Sequence, residues 1–367
     1  MKQWGRWIYS IIFLGTLLFG AWHLSHPKEE ILKYENRKPV DMPPTSFVSF
    51  FAQGASPEVE LALKDRLFRD DLVLWEAYLD RYFYRRPFIN HIHVKPPHFY
   101  DFSDHEKYVG AEDKTEETIA KFIAIKKELE KEGTEFIVVP VPMISSVWEY
   151  PKGILNPETI DQPAQERLIH GLQEAGIHII NPRELLTKED FFSTDHHIKV
   201  SGAEKIISQL ETILAEQNLS LVHSPIRFRT HRFKGSRSKM MAYLTEDEPI
   251  EEPIYQRKMK RSIDGLSTIN DFETMTSYVS YMGGDHRETL IEAEDGEGPY
   301  MVIYGDSFTN VFEALLAPRL GRLRSYDIRF GRVKAPERKA DVVVLIAAEN
   351  AFRLGEEYLE YFENISH

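Results

Sequence analysis

The sequence contains no cysteine. That absence excludes disulfide cross-links, a thiolate nucleophile, Cys-ligated zinc or iron–sulfur centres and a lipidated N-terminal cysteine. Any nucleophile must therefore be another side chain. An excess of positive charge is missing too: 45 Lys and Arg stand against 58 Asp and Glu, a formal net charge of −13 over 367 residues. A chain of that sign is not built to coat nucleic acid, and no nucleic-acid partner is expected. Long apolar runs are almost absent, with one exception near the N-terminus. What is present, 42% hydrophobic and 12% aromatic residues, suffices to bury the cores of one or two globular domains.

The exception is Trp7 to Leu24, which carries no acid or strong base and as a helix almost spans a bilayer core. Lys2 and Arg6 precede it and Lys28, Glu29 and Glu30 follow, a bias that keeps the N-terminus in the cytoplasm and the body outside. The exit, Phe19-Gly20-Ala21-Trp22-His23, offers poor cleavage sites. Residues 1–26 are thus expected to be a single uncleaved anchor in the cell membrane; a cleaved signal peptide would export the same extracytoplasmic body.

Residues 27–110 read as a helical, aromatic-rich arm. Phe47, Phe50, Phe51, Leu61, Leu63, Leu67, Leu72, Leu74, Trp75, Tyr78, Leu79 and Tyr82 fall at mixed three- and four-residue spacings, the pattern of a packing face. His91, His93, His98 and His105 show no metal-ligand spacing. From Lys114 onward helical patterns alternate with short apolar strands at 135–142, 177–180, 300–304, 322–329 and 340–348. That alternation predicts a parallel sheet covered on both faces, with Gly133 and Gly176 closing the first two helices. It breaks at about 218–298, polar and mixed in charge, which reads as an insertion or elaborated loop. The basic run there, Arg227 to Lys239, could attract anionic polymer or lipid headgroups, although such runs are commonly just solvated.

In sheets of this kind chemistry gathers beyond the C-terminal strand ends, and two segments qualify. Strand MVIY runs directly into Gly305-Asp306-Ser307 and an apolar helix, which would present Ser307 beside helix N–H groups able to stabilise an oxyanion. The plain alternative is that Asp306 or Ser307 only caps the helix. A serine nucleophile needs a base, and the base an orienting acid. Thr194-Asp195-His196-His197 offers both, just ahead of another helix. In a turn, Asp195 and His197 can project to one side while His196 points away, so His197 is the expected base, Asp195 its orienter and His196 the reserve. The Ser307 N–H is one expected oxyanion donor, with Asn310 and Asn350 as candidates for the second. D-H-H also occurs in metal-dependent phosphoesterases, and Gly283-Gly284-Asp285-His286 faintly echoes their histidine motif. The strand ending VPVPMISS supplies none of their paired aspartates, so neither metal nor cofactor is expected.

Taken together, G-D-S after an apolar strand and T-D-H-H before a helix resemble the SGNH (GDSL) hydrolases in permuted order, with Asp-x-His first and Ser far downstream. This order is similar to that of the alginate O-acetyltransferase proteins and the DHHW family of Gram-positive bacteria. VVPVPMISSVWEYP, YMGGDH and SYDIRFG resemble further segments of those proteins. The resemblance implies a three-layer α/β/α domain over 111–367, the triad Ser307, His197 and Asp195, and Arg329 as a substrate or acetyl-pocket residue. It also implies a cell-surface glycan as acceptor and a separate membrane-bound O-acyltransferase as partner. Ile198 departs from the pattern, standing where a Trp usually follows the second His; an aromatic wall that could pack on the imidazole or on a sugar is therefore expected to be missing. The expected activity is extracytoplasmic O-acetylation of a polysaccharide through an acyl-serine, with O-acetyl ester hydrolysis as its alternative. A reading of another class is a non-catalytic adaptor that binds glycan or a membrane partner through the 218–298 region.

Overall fold

The structure is a computed structural model that describes residues 7–8, 10–16, 32, 34, 39–41, 57–66, 69–95, 98–101, 112–147, 158–264, 266–268, 278–282, 284–330 and 339–354. The chain forms two compact units, residues 1–94 with 237–245, and residues 95–236 with 246–367.

In the first unit, α1 (Pro57–Arg66) is followed by α2 (Arg69–Tyr78), which continues into a π-helical turn at Leu79–Phe83. Strands β1 (Phe88–Ile89) and β2 (Ile92–Lys95) pair antiparallel, turning through Asn90 and His91 at positive φ. The aromatic packing face expected here does not form along α2. Val73 and Ala77 turn inward, and Leu72, Trp75, Tyr78, Leu79 and Tyr82 are exposed. Apolar residues recur on both sides of this helix, and the smaller ones occupy the side that packs. Phe47, Phe50, Phe51 and Leu67 lie outside the described residues. Of the expected anchor, residues 7–8 and 10–16 are described; they are helical and expose Trp7, Ile8, Ile11, Ile12, Phe13 and Leu14. The remainder lies outside the described residues, among which no helix is long and apolar enough to cross a membrane.

The second unit opens with β3 (His98–Asp101), α3 (Thr115–Glu132), β4 (Glu135–Val141), α4 (Ile144–Val147), α5 (Glu158–Glu174), β5 (His178–Ile179) and α6 (Val200–Glu216). Next come β6 (Ile226–Phe233), β7 (Glu248–Tyr255), β8 (Met259–Ile263), β9 (Leu266–Thr268) and β10 (Glu288–Ala293); of α7 (Ser236–Met240), which lies between β6 and β7 in the chain, residues 237–240 belong to the first unit. It ends with β11 (Tyr300–Gly305), α8 (Thr309–Leu316), β12 (Arg322–Asp327), β13 (Val342–Ala348) and α9 (Glu349–Leu354). Eight strands form one sheet in the order β5-β4-β13-β11-β12-β10-β8-β9. The first five are mutually parallel, and β10, β8 and β9 are added antiparallel.

The sheet is therefore mixed rather than parallel throughout, and the region read as an insertion supplies its antiparallel end. Strand β10 alternates partly exposed and buried residues. A strand with one wet face carries charges at every second position, so it does not stand out as an apolar run. The parallel strands β4, β11 and β13 are buried on both faces. Phe136 and Val138 of β4 pack with Phe122, Ile125 and Leu129 of α3 and Leu168 and Leu172 of α5. On the opposite face Ile137, Val139 and Val141 join Ile206, Ile207 and Leu210 of α6 and Val311 and Phe312 of α8. Val343 and Leu345 of β13 divide from Val344 and Ile346 in the same way, giving three layers, α/β/α. Each large aliphatic side chain so buried contributes about 1.5–3 kcal/mol. Gly133 ends α3 at φ 65°, in the left-handed region that favours glycine.

Candidate active site

Strand β11 lies between β13 and β12, and its C-terminal end delivers Gly305-Asp306-Ser307. Glycine is required at 305, because a Cβ there would lie 1.8 Å from the Ile346 carbonyl oxygen and 2.4 Å from Thr309 Cγ2. Asp306 takes the plain structural part. Its Oδ1 accepts the Phe308 N–H at 2.9 Å and its Oδ2 the Ala348 N–H at 2.9 Å, tying this turn to the end of β13. Burial pushes the Asp306 carboxyl up despite those two bonds.

The second segment is a short loop closed by an antiparallel bridge between Phe191 and Ile198. Its approach is held by Asp190, whose carboxylate accepts from Thr187 N (2.8 Å), Lys205 Nζ (2.6 Å) and Ser201 Oγ (2.9 Å). Its far side is held by the region read as an insertion. Glu248, at the head of β7, accepts the N–H groups of Ser193 (2.8 Å) and Thr194 (2.7 Å) and the Thr194 hydroxyl. Gly235 N donates to Thr194 Oγ1 (3.0 Å) and Ser236 N to Asp195 Oδ2 (2.7 Å). The Gly235 backbone packs so close that a Cβ would sit 2.4 Å from Thr194 O and 2.5 Å from Asp195 Cβ.

These supports place Asp195, His197 and Ser307 in one hydrogen-bonded line. Asp195 Oδ1 lies 2.5 Å from His197 Nδ1, and His197 Nε2 lies 2.9 Å from Ser307 Oγ. A carboxylate only accepts, so Nδ1 carries the proton and Nε2 is left to accept from the serine hydroxyl. Asp195 and His197 are buried and Ser307 is partly so. Burial would raise the Asp195 carboxyl, but His197, His196 and the Ser236 N–H together outweigh it and hold the group well below the usual carboxylate range.

His196 does not point away from His197. Their ring centroids are 3.8 Å apart, and His196 Nδ1 lies 3.0 Å from Ser236 Oγ. The aromatic wall expected to be missing is supplied from elsewhere: Tyr278 stacks on the His197 imidazole at 3.7 Å and 5°. Ile198 itself is buried in the core behind the bridge. Nothing in the sequence marked Tyr278, although the neighbouring YMGGDH segment was singled out.

Asn310 is buried and donates to Asp285 Oδ1 at 2.9 Å. Asp285 Oδ2 pairs with Arg329 Nη2 at 2.9 Å, and Arg329 also grips Asp327, with Nε 2.9 Å from Oδ1 and Nη2 2.5 Å from Oδ2. Burial opposes the Arg329 charge, but Asp327 and Asp285 overcome it and raise the pKa above its ordinary value. The guanidinium expected in the substrate pocket is thus engaged by two carboxylates. Asn350 is buried in the first turn of α9, just past the end of β13. Glu313, buried in α8 and accepting the Ser325 hydroxyl, has its carboxyl pushed up to about 7 by burial. The basic run forms strand β6 and pairs with the acidic strand β7, so part of its charge is met there. Arg229 and His231 share Glu252 (2.9 and 2.5 Å), and Lys234 lies 3.7 Å from Asp247.

Asp195, His196 and His197 form the one group among the described residues whose ligand atoms come within 4.8 Å of one another, as a metal ion would require. Both ring nitrogens of His197 are already engaged, by Asp195 and Ser307, so ligation there would dismantle the line.

Residues 101–257 match the sequence model of the SGNH hydrolase-like domain of acetyltransferase AlgX. No curated protein matches the chain. Among solved structures, the chain is similar to a DHHW family protein from Eubacterium siraeum, with 14% identity, 75% of this chain and 95% of that one covered, and a TM-score of 0.58. It is also similar to PatB1 of Bacillus cereus, with 14% identity, 71% and 97% covered, and a TM-score of 0.53. PatB1 with a sulfonyl adduct gives 14%, 68% and 92%, and 0.52. The second unit therefore has an SGNH-like α/β fold with a mixed sheet, and the resemblance to the DHHW and alginate O-acetyltransferase proteins holds at the level of sequence model and fold.

Proposed function

We propose that this chain is a Ser-His-Asp acyl-transfer enzyme that O-acetylates a cell-surface polysaccharide from outside the cytoplasm. The observation that carries the reading is the continuous line Asp195–His197–Ser307 at 2.5 and 2.9 Å, beyond the C-terminal end of a sheet strand. His197 Nε2 takes the Ser307 proton as Oγ bonds to the acyl carbon of the donor, and the carbonyl electron pair moves onto oxygen. The Ser307 N–H, at the entry to α8, supports that oxyanion. Collapse expels the donor's leaving group, which takes the proton from Nε2 and leaves an acyl-serine. A glycan hydroxyl then gives its proton to Nε2 and attacks the acyl carbon, and collapse returns the proton to Ser307. Asp195 stays ionised throughout and fixes the tautomer.

The extracytoplasmic placement is supported by the apolar run Trp7 to Leu24 with Lys2 and Arg6 before it. A membrane-bound acyltransferase would then supply acetyl groups from the cytoplasm. The test uses the full chain in detergent with a fluorophosphonate probe and a chromogenic acetyl ester. Labelling and turnover are expected in the wild type, with a loss of several orders of magnitude in Ser307→Ala and His197→Ala. Wild-type protein that neither labels at Ser307 nor turns over ester would refute the reading. Mass gain on an added oligosaccharide separates transfer from hydrolysis.

A further inference from the structure

Two hydrogen bonds, one at each nitrogen, fix the His197 imidazole along a single line. They leave the ring free to rock about that line, and rocking tilts the in-plane Nε2 lone pair away from the Ser307 hydroxyl. Any restraint on this motion must come from the faces of the ring. Tyr278 lies parallel to it at 3.7 Å and 5°, and His196 lies 3.8 Å away at 36°. Two rings this close cannot share a face without colliding, so the imidazole is held between them. Tyr278 is itself braced edge-to-face by Tyr281 (5.2 Å, 75°) and Phe192 (6.2 Å, 80°), and Phe192 in turn by Phe233 (4.9 Å, 77°). His196 is fastened by Ser236 Oγ.

We infer that Tyr278 is the positioning residue of the site, a face-on brace that keeps the His197 ring in the plane of the Asp195–Ser307 line and shields one face from water. The inference rests on the acyl-serine reading above and adds to it which residue holds the base. The brace consists of the ring, not the hydroxyl. It also suits the reaction, since the imidazolium formed when Nε2 takes the serine proton sits against an aromatic π face. It further explains why Ile198 can occupy the position of the usual Trp. Ile198 is committed to the bridge with Phe191 and to the core, and the aromatic contact comes from a residue distant in sequence.

The test compares full-length wild type, Tyr278→Phe and Tyr278→Leu in detergent, reading fluorophosphonate inactivation rates, kcat and KM for an acetyl ester, and the His197 Cε1–H resonance in 13C-histidine-labelled protein, assigned with His197→Gln. Tyr278→Phe is expected to stay within about twofold of wild type and to keep the ring-current displacement of that resonance. Tyr278→Leu is expected to lose the displacement and to inactivate about 10- to 100-fold more slowly, a range typical of small misplacements at a reacting centre, with the loss in kcat and little change in KM. A Leu variant at wild-type rate would overturn the inference, as would a Phe variant as impaired as Leu. Should the Leu variant not fold, a wild-type His197 resonance without ring-current displacement overturns it equally. Failure of the wild type itself to label at Ser307 would instead strike the acyl-serine reading.

Discussion

The two ends of the central sheet are built on opposite principles. In the parallel end, β11 is buried at every position and β13 at nearly every one. Such strands hold their place through apolar contact on both faces. In the antiparallel end, β10 alternates between core and surface, and the neighbouring β6–β7 pair is held by its backbone ladder and by carboxylates meeting guanidinium and imidazole groups. The division extends into the site. Ser307 stands on the apolar end, while the groups that orient its partners, Ser236, Glu248 and Tyr278, all come from the region between α6 and β11. Packing sets where Ser307 is, and directional polar and ring contacts set how the His197 ring is aimed.

Breaking the aim should cost the most activity. Asp195→Asn puts a donor where His197 Nδ1–H needs an acceptor and favours the wrong tautomer, so fluorophosphonate labelling of Ser307 should fall on the order of 10⁴-fold while the fold survives. Breaking the packed end should show the reverse. Phe122→Ala removes a ring wedged against Phe136 and Phe352 and should cost about 3–5 kcal/mol of unfolding free energy in a denaturant titration, with near-normal labelling in the protein that remains folded. Gly235→Ala separates the two ends most sharply. Its methyl would force Asp195 and Thr194 aside, slowing labelling on the order of 10²-fold, with a smaller loss of stability than Phe122→Ala.

The last prediction, with no expected effect on labelling, tests the helix behind Ser307. Glu313 has its pKa raised from 4.5 to about 7 by burial, so the native state holds this proton over a range in which the unfolded chain has released it. Its contribution to stability therefore falls as pH rises through that window and levels off above it. Glu313→Gln removes the dependence. Its unfolding free energy relative to wild type should improve as pH rises from 4.5 to about 7 and level off above, and a difference that stays constant through that window would contradict the assignment.

Much of this was readable in advance where one residue or one period carries the signal. Strands β4, β11 and β13 are unbroken apolar runs, and Gly133 marked the end of α3. The T-D-H-H and G-D-S segments each sit at a strand- or loop-to-helix junction, which placed Asp195, His197 and Ser307 as candidates. Strands β8 and β10 escaped notice because a half-wet strand of mixed charge looks like a loop when the alternation is short. The pairing of Arg229 and His231 with Glu252 was hidden because Glu252 lies on the next strand, out of view of any local reading.

The linear sequence by itself determined that any nucleophile is not a thiol, that the body has covered apolar strands running parallel, and which short segments carry an Asp-x-His and a Ser at strand ends. Those follow from composition, periodicity and chain-local geometry. Only the tertiary structure decided that Tyr278 faces His197, that Ser236 secures Asp195, and that Arg329 is spent on Asp327 and Asp285. Each of these depends on a distance across the fold, and such distances are fixed by the packing of whole elements, not by any neighbouring pair of residues.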